Sequence, residues 1–186
     1  MKKIFDISLS FFLLIPILGI LFFLYFVVVT NSKGPFIHWS LRSGKNSNNF
    51  YMPKIRTMLI NTPQIATHLV EKPDLLYTPY GKLLRKYSID ELPQIYSVIK
   101  GDMSLVGPRP ALFNQEDLIL MRKHAGLDKV LPGITGWAQV NGRDELSLKT
   151  KVSLEKEYLE KKSFFFDIYI IWLTLRKVIL KDGVTH

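Results

Sequence analysis

The chain opens with a long apolar stretch. Residues 7–29 carry no charge, and the first charged residue after Asp6 is Lys33. About 20 apolar residues suffice for a helix that crosses a bilayer, and no small-residue cleavage site follows this one. Pro16 lies near the middle, where it removes a backbone hydrogen bond and favours a bend. The pattern predicts a membrane helix. It favours a spanning helix and leaves a re-entrant hairpin open.

The rest of the chain alternates between turn signals and short periodic segments. An apolar run at residues 35–41 predicts a short strand, and Trp137 to Val140, between glycine turns, predicts another. Gly101 suits a helix C-cap. Helical periodicity predicts helices that begin at Gly81 and others over residues 92–100, 115–124, 146–162 and 164–180.

The last of these helices is dense in aromatic residues. Its uncharged part, residues 168–175, is too short to span a bilayer. Trp172 and Tyr169 suit headgroup depth, and Arg176 and Lys177 suit contact with lipid phosphates. An interfacial helix and a buried core helix both remain open.

Composition limits the chemistry. The 186 residues include no cysteine, which excludes disulfides, thiol catalysis and cysteine-ligated metals. The four histidines are widely spaced, so a histidine metal cluster is not expected: His38, His68, His124 and His186. The formal charge of +9 indicates an anionic partner, which nucleic acid, a phosphorylated metabolite or an acidic membrane would each satisfy.

Candidate chemistry centres on the adjacent carboxylates of Asp90 and Glu91. In isolation, Asp90 would be expected to cap a helix that begins at Glu91, with Pro93 in its first turn. Arginines near proline, glycine or the acidic pair change this expectation; they are Arg56, Arg85, Arg109 and Arg143. An ionised aspartate can attack phosphorus when arginines and a magnesium ion neutralise the phosphate, and Asp90 and Glu91 could be the carboxylate ligands of that ion. The pattern indicates phosphoryl transfer.

Four blocks of sequence resemble one known family, the monotopic phosphoglycosyl transferases, also called bacterial sugar transferases. They are Lys54-Ile-Arg-Thr-Met58, Ser88-Ile-Asp-Glu-Leu-Pro-Gln94, Lys100-Gly-Asp-Met-Ser-Leu-Val-Gly-Pro-Arg-Pro110 and Pro132-Gly-Ile-Thr-Gly-Trp-Ala-Gln-Val-Asn-Gly-Arg143. The resemblance covers nearly the whole chain, and the last two blocks together are highly specific.

The resemblance implies transfer of a sugar 1-phosphate from a UDP-sugar to undecaprenyl phosphate with release of UMP. Asp90 matches the nucleophile that forms a phosphosugar intermediate, and Glu91 matches the carboxylate associated with Mg²⁺. Arg56, Arg85 and Arg109 would bind phosphate. Arg143 and Asp167 match positions near the site, with less defined roles. The sugar and the glycan pathway (O-antigen, capsule or glycoprotein glycan) are not encoded in these motifs; an N-acetylated or diacetamido sugar is the expectation.

The resemblance also implies a fold and a location. We expect an α+β fold, mostly helical with few short strands, divided into a re-entrant membrane helix at residues 1–34 and a catalytic domain with interfacial helices at residues 35–186. The helix would break at Pro16 and keep both ends cytoplasmic, at the bacterial inner membrane. The family's serine before this proline is Ile15 here, and its phenylalanine after Lys54 is Ile55.

Partners follow from the same resemblance: a UDP-sugar, undecaprenyl phosphate and membrane lipids, with nucleic acid not expected. The oligomeric state is left open, with a homodimer as one alternative. Two other functions compete with the transferase. A membrane-tethered module that binds anionic lipid or nucleic acid would use the +9 charge and give Asp90 no role. A non-catalytic scaffold of a glycan assembly complex would tolerate its loss.

Overall fold

A computed structural model describes residues 2–63, 73–142 and 146–180. Within them the chain is mostly helical with a few short strands, which confirms the expected α+β class. The helices are α1 (Lys2–Asn31), α2 (Gly81–Lys86), α3 (Ile95–Lys100), α4 (Glu116–His124), α5 (Trp137–Val140), α6 (Leu148–Lys161) and α7 (Phe164–Leu180). The strands are β1 (Ile37–Ser43), β2 (Asn49–Ile55), β3 (Ser104–Val106), β4 (Ala111–Leu112) and β5 (Gly133–Thr135).

The strands form two small sheets. One has the order β2-β1-β4 and is antiparallel, with Ile37 opposite Ile55 and Ser43 opposite Asn49 in the β1–β2 hairpin. The other pairs β3 with β5 in parallel. Strand β2 was not anticipated, and the strand expected at Trp137 is instead the helix α5. The strand lies just before it because β3 supplies the hydrogen-bonding partner of residues 133–135.

Helix α1 continues through Pro16 and is long and apolar enough to cross a membrane. Its outward side is strongly apolar, with Phe12 75% and Ile15 79% exposed. Its inward side carries Ile17 and Val28, which are buried in the two hydrophobic clusters of the body. A bend at Pro16 and the domain boundary after residue 34 stay predictions.

Both ends of α1 contact the same globular part of the protein, which follows the helix in the chain and is here called the body. At the first turn, Lys2 Nζ lies 2.7 Å from Asp167 Oδ2 on α7, and Ser104 Oγ of β3 donates to Asp6 Oδ2 at 2.7 Å. After the last turn, the carbonyl of Ser32 accepts a hydrogen bond from Arg56 at 2.9 Å. The helix is therefore integrated with the domain at both termini.

Helix α7 has one buried side and one open side. Ile170 is fully buried and Asp167 nearly so, whereas Phe165 is 82% exposed and Trp172 is half exposed. The Arg176 guanidinium lies 5.7 Å from the ring centroid of Trp172. Helix α7 thus has one face in the core, as expected of a core helix, and one exposed apolar face, as expected of an interfacial helix. Its contact with lipid stays a prediction.

A buried ion pair joins α4 to α6. Arg122 Nε donates to Glu155 Oε2 at 2.8 Å, and a terminal guanidinium nitrogen of Arg122 donates to Glu155 Oε1. Both residues are buried. Removing one partner of such a pair leaves the other charge buried without compensation.

We therefore expect Glu155→Gln to lower the free energy of unfolding by about 3–5 kcal/mol, measured by urea titration in detergent micelles. The control is Glu157→Gln on the same helix, whose partner Lys161 is exposed, and it should leave the midpoint unchanged. Equal midpoints for both variants would show that α4 and α6 do not depend on this pair.

Candidate active site

The acidic pair lies in a 3-10 helix, Ile89–Gln94, that leads directly into α3. Asp90 is inside this helix, and the preceding Ser88 adopts a left-handed conformation with φ 55° and makes no side-chain cap. The expectation that Asp90 caps an α-helix beginning at Glu91 is therefore wrong. The tight turn instead directs both carboxylates into the body, where Asp90 is 5% and Glu91 9% exposed.

Glu91 is held by two cations. Lys54 Nζ on β2 lies 2.7 Å from Glu91 Oε1, and a terminal guanidinium nitrogen of Arg109 donates to the same oxygen at 2.8 Å. Burial alone would raise the pKa of Glu91, but the charges and hydrogen bonds of Arg109 and Lys54 outweigh it and hold the pKa well below its ordinary value. Glu91 is therefore ionised and fixed in place.

Asp90 has the opposite environment. Its carboxylate makes no hydrogen bond or ion pair with the residues that the structure describes. Burial raises its pKa above the ordinary value, and the negative charge of Glu91 adds to this effect, whereas Lys54, Arg85 and Arg109 oppose it. Of two adjacent carboxylates, one is thus clamped and the other is left with free oxygens.

Arg85, on α2, is oriented by its neighbours. Its Nε donates to Thr57 Oγ1 at 2.8 Å, and its guanidinium lies 5.3 Å from the ring centroid of Tyr77. The first residue of α2, Gly81, must be glycine because a Cβ there would lie 2.1 Å from the carbonyl oxygen of Thr57. This close approach fixes the start of α2 against Thr57 and thereby places Arg85 near Asp90.

Two glycine-rich motifs position Arg109. The N–H of Gly107 donates to Thr135 O and the N–H of Gly133 donates to Pro108 O, both at 2.9 Å. A Cβ on Gly133 would lie 2.1 Å from the nitrogen of Gly107, so only glycine permits this contact. Arg109 follows at once and points its guanidinium at Glu91.

Arg56 and Asp167 do not join this group. The Arg56 guanidinium is buried and donates to the carbonyls of Pro35 at 2.7 Å and Ser32 at 2.9 Å, where it holds the segment that follows α1. Asp167 accepts hydrogen bonds from Lys2 and Tyr158, both at 2.7 Å, at the opposite end of α1. Their contacts are structural and give no support to roles at the site. Arg143 lies outside the described residues.

Comparison with known proteins decides the family. The family model for bacterial sugar transferases matches residues 1–181. The chain is 40% identical over 184 residues to the uncharacterized sugar transferase EpsL of Bacillus subtilis (strain 168), which covers 99% of this chain and 90% of that protein. This protein belongs to the bacterial sugar transferase family.

Other relatives of this sugar transferase are longer. The undecaprenyl-phosphate glucose phosphotransferase of Komagataeibacter xylinus is 35% identical over 96% of this chain and 36% of its own length. The undecaprenyl-phosphate galactose phosphotransferase of Salmonella typhimurium (strain LT2) is 33% identical over 98% of this chain and 41% of its own length. The chain therefore spans less than half of these two relatives.

The sequence left two residues of the sugar transferase site without a role. Lys54 pairs with Glu91, and Thr57 accepts the hydrogen bond of Arg85. The sequence did contain a signal for Lys54. This cation lies between Pro53 and Ile55, and a cation buried among apolar residues needs a partner of opposite charge. Thr57 gave no comparable signal, since its role depends on a helix that begins 24 residues later.

The donor set of the sugar transferase fits a magnesium ion. No group of three or more His, Cys, Asp or Glu side chains suited to a metal occurs among the described residues. Mg²⁺, however, needs only one or two carboxylates when phosphate oxygens and water complete its shell. Glu91 Oε1 is occupied by Lys54 and Arg109, so the oxygens left are those of Asp90 and Oε2 of Glu91, to which Arg109 makes a long contact of 3.4 Å.

The opposite pKa directions at this pair predict opposite effects on stability. Neutral Asn at residue 90 removes a charge that the fold disfavours, so Asp90→Asn should raise the unfolding temperature. Neutral Gln at residue 91 leaves two cations unpaired, so Glu91→Gln should cost about 3–5 kcal/mol. The measurement is thermal unfolding by circular dichroism in detergent.

The pH dependence gives the control. A carboxyl whose folded-state pKa is raised costs stability only where it is ionised. The advantage of Asp90→Asn should therefore be small near pH 4 and grow as the pH rises toward about 7. A destabilised Asp90→Asn variant at neutral pH would contradict this account of the two carboxylates.

Proposed function

We propose that this sugar transferase moves a sugar 1-phosphate from a UDP-sugar to undecaprenyl phosphate, with release of UMP. The observation that carries the proposal is the unequal pair: Asp90 is buried with free oxygens, beside a Glu91 that Lys54 and Arg109 hold. The names of the two longer relatives support undecaprenyl phosphate as acceptor. An anionic-lipid binder, a nucleic-acid binder or a scaffold would leave this arrangement without a purpose.

In the first step, an ionised oxygen of Asp90 attacks the phosphorus that carries the sugar. A P–O bond forms to Asp90, and the P–O bond to the UMP oxygen breaks. Attack by one anion on another requires neutralisation of charge, which Arg85, Arg109 and Lys54 provide from fixed positions. The desolvated state of Asp90, which raises its pKa, also leaves the carboxylate poorly solvated and reactive.

In the second step, a phosphate oxygen of the lipid attacks the same phosphorus. The bond to Asp90 breaks and the carboxylate is restored, so that atoms and charge balance over the cycle. Mg²⁺, bound through Asp90 and Glu91, would supply further neutralisation of the diphosphate. Glu91, fixed by its two cations, keeps the 3-10 helix and hence Asp90 in register through both steps.

We expect Asp90→Asn to reduce UMP release from a panel of UDP-sugars, with undecaprenyl phosphate and Mg²⁺ present, by about a thousandfold or more. Without acceptor, the wild type should release one equivalent of UMP per protein, because the phosphosugar stays on Asp90.

The matched control is Asp74→Asn, which changes an exposed aspartate paired with Lys82 and should retain full turnover. A fully active Asp90→Asn variant would remove Asp90 from the chemistry, while absence of UMP release from the wild type with every UDP-sugar would refute the transfer itself.

We further propose that α1 enters and leaves the bilayer on one face, the cytoplasmic face of the bacterial inner membrane. The support is that Lys2 and Asp6, before the apolar stretch, and Ser32, after it, contact the same body. A helix that placed these ends on opposite sides of a bilayer would need the body to span it too. The open apolar side of α1 and the exposed aromatics of α7 would then lie in lipid. A homodimer stays a prediction.

Because the chain has no cysteine, single cysteines can test this topology. Lys3→Cys and Lys45→Cys replace exposed residues on either side of the apolar stretch. Both should react with an impermeant maleimide in inverted membrane vesicles and be protected in intact spheroplasts, with detergent-solubilised protein as the labelling control. Labelling of Lys3→Cys in spheroplasts would establish a spanning helix instead.

A further inference from the structure

His38 is an exposed residue on β1 that the proposed chemistry leaves unused. In the antiparallel β1–β2 register it lies opposite Lys54. Directly opposed residues of an antiparallel pair project from the same face, with Cβ atoms about 5 Å apart. Lys54 in turn contacts Glu91 at 2.7 Å. His38 is therefore one side chain removed from the acidic pair.

The surroundings of His38 are cationic. Partial desolvation lowers its pKa, and the charges of Lys54 on β2, Arg42 on β1 and Arg85 on α2 lower it further. Near neutral pH the imidazole is therefore uncharged, with one nitrogen that donates and one that accepts. It makes no hydrogen bond or ion pair with the described residues. A neutral donor among three cations suits an anion.

His38 also lies close to the contact between the hairpin and the membrane helix α1. Ile55, next to Lys54 in β2, belongs to the same hydrophobic cluster as Val28 of α1. The pair of Ile37 and Ile55 therefore lies near α1, while the adjacent pair of His38 and Lys54 projects from the other face of the hairpin. The ring of Phe36, two residues before His38, lies 5.6 Å from that of Tyr25 on α1. His38 is thus two residues from a contact with the membrane helix, and its cross-strand partner Lys54 contacts Glu91.

We propose that His38 binds the phosphate of the lipid acceptor. This inference rests on the proposed transfer. A phosphate attached to a lipid in the bilayer must approach Asp90 from the side of α1, whereas a nucleotide sugar is soluble and needs no such route. The imidazole N–H then donates to a phosphate oxygen beside Lys54 and Arg85. His38 acts by holding the attacking phosphate, and the first step does not require it.

The two steps can be measured separately. The variant His38→Phe keeps a ring of similar size on the strand and removes both nitrogens. We expect its KM for undecaprenyl phosphate to rise about tenfold or more, the effect of losing a hydrogen bond to a charged group. The UMP burst without acceptor and the KM for the UDP-sugar should stay as in the wild type, and the burst also reports that the variant is folded.

Two further variants complete the test. His38→Gln, which retains an N–H donor, should recover most of the acceptor affinity, as a role in phosphate binding requires. His124→Gln, on α4, is the matched control and should match the wild type in every measurement. If His38→Phe does not fold, the KM of His38→Leu for the acceptor, beside its own burst, replaces that comparison.

The contrary results are distinct. A lost burst or a raised KM for the UDP-sugar would assign His38 to the donor and overturn the proposal. An unchanged KM for undecaprenyl phosphate would overturn it as well. A wild type that releases no UMP would remove the proposed function, and this inference with it, whereas a normal wild-type burst confines failure to His38.

Discussion

The ion pairs of Glu91 with Lys54 and Arg109 join three segments of the chain that surround the candidate active site. Lys54 comes from the β1–β2 hairpin, Arg109 from the loop after β3, and Glu91 from the 3-10 helix between them. Each partner is buried or half-buried, so removing one leaves an uncompensated charge. These two ion pairs, here called the Glu91 clamp, therefore hold three separate segments at one point. It also leaves the adjacent Asp90 without a partner of its own among the described residues.

This clamp separates the roles of two chemically similar side chains. Both carboxylates are buried near the same cations, yet their pKa values move in opposite directions. The charges of Arg109 and Lys54, with their hydrogen bonds, outweigh burial at Glu91, whereas burial and the charge of Glu91 prevail at Asp90. An ion-paired carboxylate stabilises the fold, whereas a buried carboxylate without a partner destabilises it. The ion pairs of Glu91 offset the destabilisation that the buried Asp90 carboxylate causes at the neighbouring residue. Such local instability is typical of sites that perform chemistry.

The membrane helix is part of the same construction. Asp6 and Lys2 join its first turn to β3 and α7, while Arg56 holds the segment after its last turn. A domain of this size buries a limited core, and here α1 contributes Ile17 and Val28 to it. The site is consequently built close to the membrane helix. Arg56 and Asp167, which the family resemblance placed near the phosphates, have contacts of this anchoring kind.

Local pattern predicted much of the fold. The long apolar run indicated α1, and periodicity indicated α4, α6 and α7 within a few residues of their observed ends. Gly101 is a C-cap in the left-handed region, with φ 93°, as its position at the end of α3 indicated. These features depend on neighbours in sequence, so the sequence carries them directly. The strands β2, β3, β4 and β5 were missed and α5 was taken for a strand, because short segments take their structure from distant partners.

The same distinction applies to the site. The sequence by itself indicated Asp90 and Glu91, with arginines nearby, as the candidate site, and the motifs of residues 100–110 and 132–143 indicated the family that the comparisons show. Only the tertiary structure decided which cations reach the pair. Lys54 and Arg109 do so and Arg56 does not, because side-chain direction depends on strand register and loop packing over tens of residues. The sequence thus determined the chemical groups, and long-range packing decided their partners.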